Sequence, residues 1–523
     1  MARYTRTKSR RRPRPHAIQK PNGVLHPRVR AVGPEHFGIV SIDCAKARSK
    51  IMFADFYGRV LIPPTVVEHN QAGLEAAVRL VHEALDQHGI KDHIVAVERT
   101  GRYHGPIQRA FAKAGSEVRV VHPFTTKQFR QPADPGNKTD DTDLSAIHRA
   151  AVNGFGLLEH PPDPVFAHLQ LLARHRRDLV RRKVAIQQKM HEHLHSFMPG
   201  YSKCFDDVFE SEITLWAAKN FDSAAAIVTT GLPGLAQKLK QAGLRSHAPT
   251  LEKIVAWARQ APPPQEPASI HRRFFIELDA ERMSKNQLIW SLEGELAEYL
   301  VLTPYVLLIG VPGINVVSAA EFAGEAGPIQ HYVKASAIAG RAGIFPSRYQ
   351  SDQVDHSDGA LVRCANHDLR RTILTIANNL IKCNDHFRIL ATGWRQQGKD
   401  PRDTHVKVAG RFCRIAYHMV AGRKTYGHPC SQKRDYIIHK LITFQIAHGI
   451  EAGQLLRNLD AAVARLPRSA YREEVAPLAE ELARVQKQRG AGPKRLGEIL
   501  PAVLAKLGAP SVKSITSGEA DPT

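Results

Sequence analysis

The chain has 523 residues, too many for one hydrophobic core, and 43% of them are apolar, which excludes a wholly disordered protein. Its 73 Lys and Arg exceed its 50 Asp and Glu, and a formal net charge of +23 is unusual for a metabolic enzyme. Such a charge indicates a polyanionic partner, and nucleic acid is the first candidate. A basic surface without such a partner is the alternative.

The cysteines and the apolar runs indicate the cellular location of the protein. Its six cysteines are scattered without a C-x-x-C pair, which favours neither a zinc ribbon nor a disulfide framework. No apolar run approaches the roughly 20 residues that span a bilayer. The basic N-terminal stretch is not followed by the apolar segment of a secretory signal. We therefore expect a cytoplasmic protein without a membrane partner.

Residues 1–34 are predicted to be a disordered basic arm. Basic residues and prolines alternate in this segment, and no acidic residue precedes Glu35. Such a composition cannot bury a core. The arm can add phosphate contacts, for which the candidates are Arg10, Arg11 and Arg12. A solvated tail without a specific role has the same composition.

Residues 35–155 are predicted to form a mixed α/β domain. Short apolar runs indicate strands, and segments with apolar residues on one face indicate helices between them. In chain order the pattern predicts strands at 38–43 and 50–56, a helix at 74–85, a strand at 93–97, a helix at 106–114, a strand at 117–121 and a helix from about 140. Strands followed by alternating strands and helices predict a mixed sheet covered by helices.

The rest of the chain is predicted to be mainly α-helical. Within residues 156–300, apolar residues repeat every seven positions, which predicts a coiled-coil or helical-hairpin arm over 164–198. Residues 301–395 form a predicted helical domain that ends in an amphipathic helix over 367–394. Residues 396–523 are predicted to be a basic helical extension.

Four acidic residues are candidate metal ligands. Asp43 and Glu98 each end an apolar strand, where a carboxylate is costly unless it pairs or coordinates. Asp140 and Asp143 are three residues apart at a helix start, so both can project from one face. Oxygen-rich clusters suit Mg²⁺ or Mn²⁺, and two such ions can hold the attacking and leaving oxygens of phosphoryl transfer. The alternative is that these acids only cap a strand end or a helix.

The segments around these acids resemble the successive motifs of the DEDD transposases, a family of insertion-sequence recombinases that includes the Piv-type invertases. The segments are SIDCAK (41–46), ERTGRY (98–103) and KTDDTDLSA (138–146). The resemblance implies that the N-terminal domain is RuvC-like, with an RNase H fold and a metal-binding set of four acids. The acids that match this set are Asp43, Glu98, Asp140 and Asp143.

The predicted domain at 301–395 contains a glycine-rich turn. Gly310, Pro312 and Gly313 predict a tight turn between two short helices. This pattern resembles a helix-hairpin-helix, in which the backbone N–H groups of Gly310 and Gly313 would contact phosphates. An ordinary helical turn is an equal alternative.

A serine in the same domain is the candidate nucleophile. Ser351 lies on a predicted polar loop, where most serines are only turn residues. The C-terminal domain of the DEDD transposases has a PGIG-like turn followed by a G-x-x-P-x-x-x-x-S-G stretch, which Gly343, Pro346 and Ser351 match. The resemblance implies that Ser351 attacks DNA. Ser347 and Ser357 are the alternatives.

A later segment, 402–440, interleaves basic with aromatic residues. Charge combined with stacking suits a nucleic-acid groove, although many such patches are ordinary surface. The candidate nucleic-acid-binding residues here are Lys407, Arg411, Arg414, Arg423 and Lys424.

The residues and the resemblance together predict an insertion-sequence transposase. Ser351 would form a covalent phosphoserine–DNA intermediate with the help of the metal site. The resemblance implies guidance by a structured RNA encoded by the element. The DNA partners would be the element ends and the target, and joining two duplexes requires at least two active sites, so we expect a homodimer that assembles into a tetramer. The alternatives are a metal-dependent nuclease such as a junction resolvase, and a non-catalytic nucleic-acid-binding scaffold.

Overall fold

The computed structural model describes residues 25–475, apart from 134–135, 159–162, 246, 266, 348, 352–353, 357–358, 364, 427–433 and 470–471. The chain divides into two units, Met1–Pro161 and Pro162–Thr523. The first 24 residues of the predicted arm lie outside the described residues, as do its three candidate phosphate ligands, Arg10, Arg11 and Arg12. Among the described residues, none of the helices is long and apolar enough to cross a membrane.

The described part of the first unit is a six-stranded mixed sheet with helices on both faces. Its strands are β1 (Phe37–Cys44), β2 (Arg48–Asp55), β3 (Val60–Glu68), β4 (Asp92–Glu98), β5 (Val118–Val121) and β6 (Leu157–Leu158). Its helices are α1 (Leu25–Val32), α2 (Gln71–Gln87), α3 (Gly105–Lys113), α4 (Pro123–Arg130) and α5 (Asp140–Val152). The strand order is β3-β2-β1-β4-β5-β6, and β1 pairs antiparallel with β2 and parallel with β4. The predicted mixed α/β architecture is confirmed.

Side-chain alternation along the strands gives this unit two cores. Val40 of β1 and Val95 of β4 belong to the core formed with α2 and α3. Their chain neighbours Ile39 and Ile94 belong to the core on the opposite face, together with residues of α1 and α5. The strand ends therefore present successive side chains to opposite faces of the sheet.

The helix α1 lies in the segment that was predicted to be disordered. Leu25 and Val29 are buried in the second core. Arg28 makes ion pairs with Asp92 at 2.6 Å and Glu117 at 2.8 Å. The prediction of disorder is therefore wrong for residues 25–34, because acidic partners distant in sequence neutralise the arginine and the apolar side chains cover the sheet.

The second unit is mainly helical. Its helices are α6 (Pro164–Phe197), α7 (Glu212–Asn220), α8 (Ala224–Gln241), α9 (Ala248–Gln260), α10 (Ala268–Leu300), α11 (Val316–Ala326), α12 (Ala335–Arg341), α13 (His367–Cys383), α14 (Asp385–Gln396), α15 (Pro401–Ala421), α16 (Arg434–Ala447) and α17 (Ala452–Val463). Two small hairpins are formed by β7 (Tyr349–Ser351) with β8 (Val354–His356), and by β9 (Pro467–Ser469) with β10 (Arg472–Val475). The predicted arm over 164–198 is α6, which packs along α10.

One hydrophobic core of this unit extends from α6 through α17. It joins side chains as distant in sequence as Leu169, Phe322, Phe412 and Leu459. The predicted division between 395 and 396 falls inside this core, so the basic extension is not a separate body over its described residues. A second core joins the C-terminal half of α6 to α7, α8, α9 and the start of α10.

Three arginines of α6, Arg174, Arg176 and Arg177, form ion pairs with acidic residues of other helices. Glu325 of α11 is fully buried and accepts hydrogen bonds from Arg174 at 2.8 and 2.9 Å. Arg177 lies 2.7 Å from Asp368 of α13. These ion pairs join α6 to α11 and α13, whereas Arg181 and Arg182 farther along the helix are exposed.

The amphipathic pattern over 367–394 forms two helices instead of the predicted one. The break is at Asn384, which has an extended backbone and donates its side-chain N–H to the carbonyl of Pro312 at 3.2 Å. A tertiary contact thus ends α13 within a continuous apolar pattern.

Candidate active site and nucleic-acid interface

Two of the candidate carboxylates meet at one edge of the first unit's sheet. Asp43 lies near the end of β1, and Glu98 ends β4. These strands are parallel, and Ile42 pairs in register with Val97, which places Asp43 beside Glu98. By side-chain alternation, both carboxylates face the side of the sheet that α5 covers.

The two side chains form a hydrogen bond with each other in a half-buried site. Burial raises the pKa of Asp43, and the charges of Asp143 and Asp140 raise it further. Burial, followed by the charge of Asp43, raises the pKa of Glu98 to about 7. Two carboxylates in contact cannot both ionise without cost, so Glu98 holds the proton that Asp43 accepts.

The first turn of α5 is held by a capping box. The hydroxyl of Thr139 accepts the backbone N–H of Thr142 at 3.2 Å, and the hydroxyl of Thr142 accepts the backbone N–H of Thr139 at 3.0 Å. This arrangement starts the helix at Asp140, whose negative charge is favourable at a helix N-terminus. The cap therefore sets the direction in which the acids of this turn project.

The remaining candidate acids have different environments. Asp143 is buried, and its carboxylate forms an ion pair with Arg130 of α4. Asp140 is exposed, and its charge raises the pKa of Asp43. Its neighbour Asp141 is bound by Lys50 of β2 at 2.6 Å.

The donor set fits a hard divalent cation, although its ligands are not assembled. Within the part of the chain that the structure describes, no three His, Cys, Asp or Glu side chains form a group that could hold a metal ion. The carboxylate of Asp143 is instead paired with Arg130. The site offers carboxylate oxygens only, and a cation would replace the proton that Asp43 and Glu98 share.

Ser351 lies on a hairpin and not on the predicted loop. It is the last residue of β7 and pairs with Val354 of β8. The alternative Ser347 precedes this hairpin, and its hydroxyl donates to the carbonyl of Ala360 at 2.9 Å. The other alternative, Ser357, lies outside the described residues.

Two segments of the chain match known transposase families. Residues 40–199 match the DEDD transposases of the IS110 type, and residues 305–391 match the transposase family of IS116, IS110 and IS902. A protein of insertion element IS116 from Streptomyces clavuligerus, described as an uncharacterized 44.8 kDa protein, is 23% identical over 313 residues, which cover 59% of this chain and 75% of the relative. The two matched segments and this relative support a DEDD transposase of the IS110 type.

The transposase family implies DNA binding and usually the use of a divalent metal. The first matched segment contains all four candidate carboxylates, and the second contains Ser351. Residues 200–304 and 392–523 lie outside both matches.

The glycine-rich turn of the transposase is a packing element. The segment Pro304–Gly310 is a 3-10 helix, and Gly310 at its end is buried, so its N–H is not open to a phosphate. Gly313 has a φ of +95°, and a Cβ there would lie 3.1 Å from the carbonyl oxygen of Asn379. Lys440 donates to carbonyls of the same turn. The prediction that the two glycines bind phosphate is wrong for Gly310, and Gly313 is required by the packing.

The predicted basic residues of the transposase differ in their freedom to bind nucleic acid. Lys407 lies 3.3 Å from Asp403 and 5.9 Å from the centre of the Trp394 ring, so its charge is partly satisfied. Arg411 and Arg414 are exposed on α15.

The two basic residues that follow α15 are also exposed. Arg423 has a φ of +46°, which favours glycine, and Lys424 closes the helix by donating its N–H to the carbonyl of Met419 at 2.9 Å.

Two basic residues of the carboxylate site, Lys50 and Arg130, were not identified from the sequence. Lys50 pairs in register with Asp43 on β2, so the predicted hairpin already contained the signal for its position. Arg130 had no such signal, because α4 was not predicted and the residue belongs to none of the quoted motifs. Both basic side chains contact acids of α5.

Proposed function

We propose that this transposase is a metal-dependent serine recombinase. In this proposal Asp43, Glu98, Asp140 and Asp143 form the metal site, and Ser351 is the nucleophile. The observation that carries the proposal is the direct contact of Asp43 with Glu98, in which burial and the charge of Asp43 raise the pKa of Glu98. The presence of the carboxylates and the serine in two separately matched segments, in family order, supports it further.

The chemistry divides between the metal site and the serine. Bound Mg²⁺ or Mn²⁺ would supply positive charge that polarises the scissile phosphate. Asp43 and Glu98 would hold it, and Asp143 would join them once Arg130 releases its carboxylate. The Oγ of Ser351 would form a bond to phosphorus as one backbone P–O bond breaks, which leaves a phosphoserine–DNA adduct and a free hydroxyl end.

We infer an RNase H-like, RuvC-type fold for the first unit. An antiparallel β1-β2-β3 run that continues into parallel β4 and β5, with helices on both faces, supports this assignment. The acids stand at the ends of β1 and β4 and at the start of α5.

We also infer guidance by a structured RNA from the element, and a homodimer that assembles into a tetramer. The net charge of +23 is compatible with holding RNA as well as DNA. Exposed apolar side chains on the long helices α6 and α10, among them Val184 and Met283, support pairing of subunits through this arm.

The test is a denaturing-gel assay for a covalent protein–DNA adduct. The full chain is incubated with Mg²⁺, element-end DNA and RNA transcribed from the element's flanks. We expect an adduct with the wild type and none with Asp43→Asn or Ser351→Ala. Omission of the RNA is expected to abolish the adduct.

Two matched controls sharpen this assay. Ser347→Ala removes a nearby hydroxyl that already bonds to a backbone carbonyl, and it should leave the adduct intact. Asp141→Asn removes the acid bound by Lys50 and should reduce the reaction far less than Asp140→Asn. Cleavage that survives Ser351→Ala without an adduct would identify a nuclease, and DNA binding without cleavage in any variant would identify a scaffold.

A further inference from the structure

A cleft of about 540 Å³ lies beside the C-terminal half of α15. Its rim carries Arg411, Arg414 and Lys424, and its floor is formed by Ile415, Met419 and Tyr426. This volume is within the roughly 300–1,000 Å³ of pockets that hold small organic groups. The carboxylate site lies in the other unit of the chain, so this cleft is a separate feature.

The spacing of residues along α15 explains why the cleft has an apolar floor and a basic rim. Residues 411, 414, 415, 418 and 419 recur at intervals of three and four, so they share one face of the helix. Arg411 and Arg414 are exposed, whereas Met419 is buried and Ile415 is half-buried. The face therefore presents an apolar floor below a cationic rim.

Among the described residues, no carboxylate compensates the charge of this rim. Other arginines of the same unit, such as Arg174 and Arg177 on α6, form ion pairs with acids. No ion pair with a carboxylate is formed by Arg411, Arg414 or Lys424 within the described residues. Like charges gathered at one cleft repel each other, so an anionic ligand is favoured there.

The backbone at the end of α15 closes the cleft. Arg423 follows the C-cap residue Gly422 of α15, and it is the one non-glycine residue with positive φ among those that the structure describes. Glycine is the usual residue at this position because a Cβ is strained there. The resulting turn places Lys424 and Tyr426 opposite α15, so the strained conformation contributes directly to the cleft.

We propose that this cleft binds one unpaired nucleotide of a nucleic-acid strand. Its phosphates contact Arg411, Arg414 and Lys424, and its base rests against the apolar floor. Cations spaced along a helix suit consecutive phosphates, and an apolar floor with an aromatic ring suits the face of a base. The inference deepens the proposed function, since it rests on the transposase handling a distorted or single-stranded substrate.

The experiment measures binding by fluorescence anisotropy, with four labelled ligands. These are a DNA duplex with one unpaired nucleotide, the same duplex with an abasic residue at that position, the fully paired duplex, and the RNA counterpart of the first. We expect wild-type protein to bind the unpaired nucleotide about ten-fold more tightly than the abasic ligand. The comparison of DNA with RNA identifies the source of the strand.

A triple variant, Arg411→Gln/Arg414→Gln/Lys424→Gln, tests the rim. It should remove most of the preference for the unpaired nucleotide and reduce the slope of log affinity against log salt by about 2, or roughly 0.7 for each lost phosphate contact. The matched control, Arg395→Gln/Lys399→Gln/Arg402→Gln, removes the same charge from exposed positions outside the cleft and should preserve the preference.

Two results would overturn the inference. One is equal wild-type affinity for the unpaired nucleotide and the abasic residue. The other is an equal loss of paired and unpaired binding in the triple variant, which would describe a general electrostatic surface. The anisotropy experiment measures binding only, so it can be interpreted even if the adduct assay gives no adduct. A negative anisotropy result, in turn, does not argue against the serine mechanism.

Discussion

Asp43 and Glu98 share a proton, so the stability and the metal affinity of the folded protein should depend on pH. The substitution Glu98→Gln should remove this dependence. The ordinary pKa of 4.5 for Glu98 rises to about 7 in the folded chain, mainly through burial. Between these values the folded protein binds more protons than the unfolded one. The contribution of Glu98 to the stability of the metal-free protein is therefore fully present below pH 4.5 and is lost as the pH rises through about 7.

The size of this effect follows from the shift. A change from 4.5 to about 7 corresponds to about 3 kcal/mol if nothing screens it. Glu98 is only half-buried, and solvent screening reduces the expected loss to about 1–2 kcal/mol. A metal must displace the same proton, so its affinity should rise up to about ten-fold per pH unit below 7 and level off above it.

The assay is thermal and urea unfolding of the full chain between pH 5.5 and 8.5, with and without Mn²⁺. In the wild type, stabilisation by Mn²⁺ should grow with pH, and in Glu98→Gln it should be small at every pH. Glu75→Gln, at an exposed position of α2, is the control and should behave as the wild type. Metal stabilisation that is equal at pH 5.5 and 8.5, or unchanged in Glu98→Gln, would refute the reasoning.

Three further predictions concern the second unit. Glu325→Gln should lower the free energy of unfolding by about 1–3 kcal/mol in urea titrations, because it removes the buried carboxylate that Arg174 contacts, and a loss below about 0.5 kcal/mol would contradict this. Gly313→Ala should lower the melting temperature because of its positive φ and the nearby backbone, whereas Gly340→Ala, in open space on α12, should not. Burial lowers the pKa of Lys440 from 10.5 to about 8, so its contribution to stability should rise between pH 8 and 10.5 in wild-type protein; Lys440→Met should lack this rise in pH-dependent unfolding.

The order of elements in the first unit could be predicted because its signals are local. Apolar alternation ending in Asp43 and Glu98 indicated the strands, and the acids after Thr139 indicated the start of α5. The heptad spacing of Leu172 and Leu179 likewise indicated α6. Motif spacing was sufficient for the family, since the two matched segments contain the motifs that resembled it.

The tertiary structure decided which of these charged residues are neutralised. Arg130 of α4 forms an ion pair with Asp143 of α5, and buried Glu325 of α11 forms ion pairs with Arg174 and Arg177 of α6. In each case the partners stand on different helices. Leu25 is ordered because it covers the sheet. A sequence shows where a charge or an apolar side chain stands along one element, but its partner is set by the packing of distant elements, and in a low-dielectric interior that partner determines whether the charge is structural or free for a ligand.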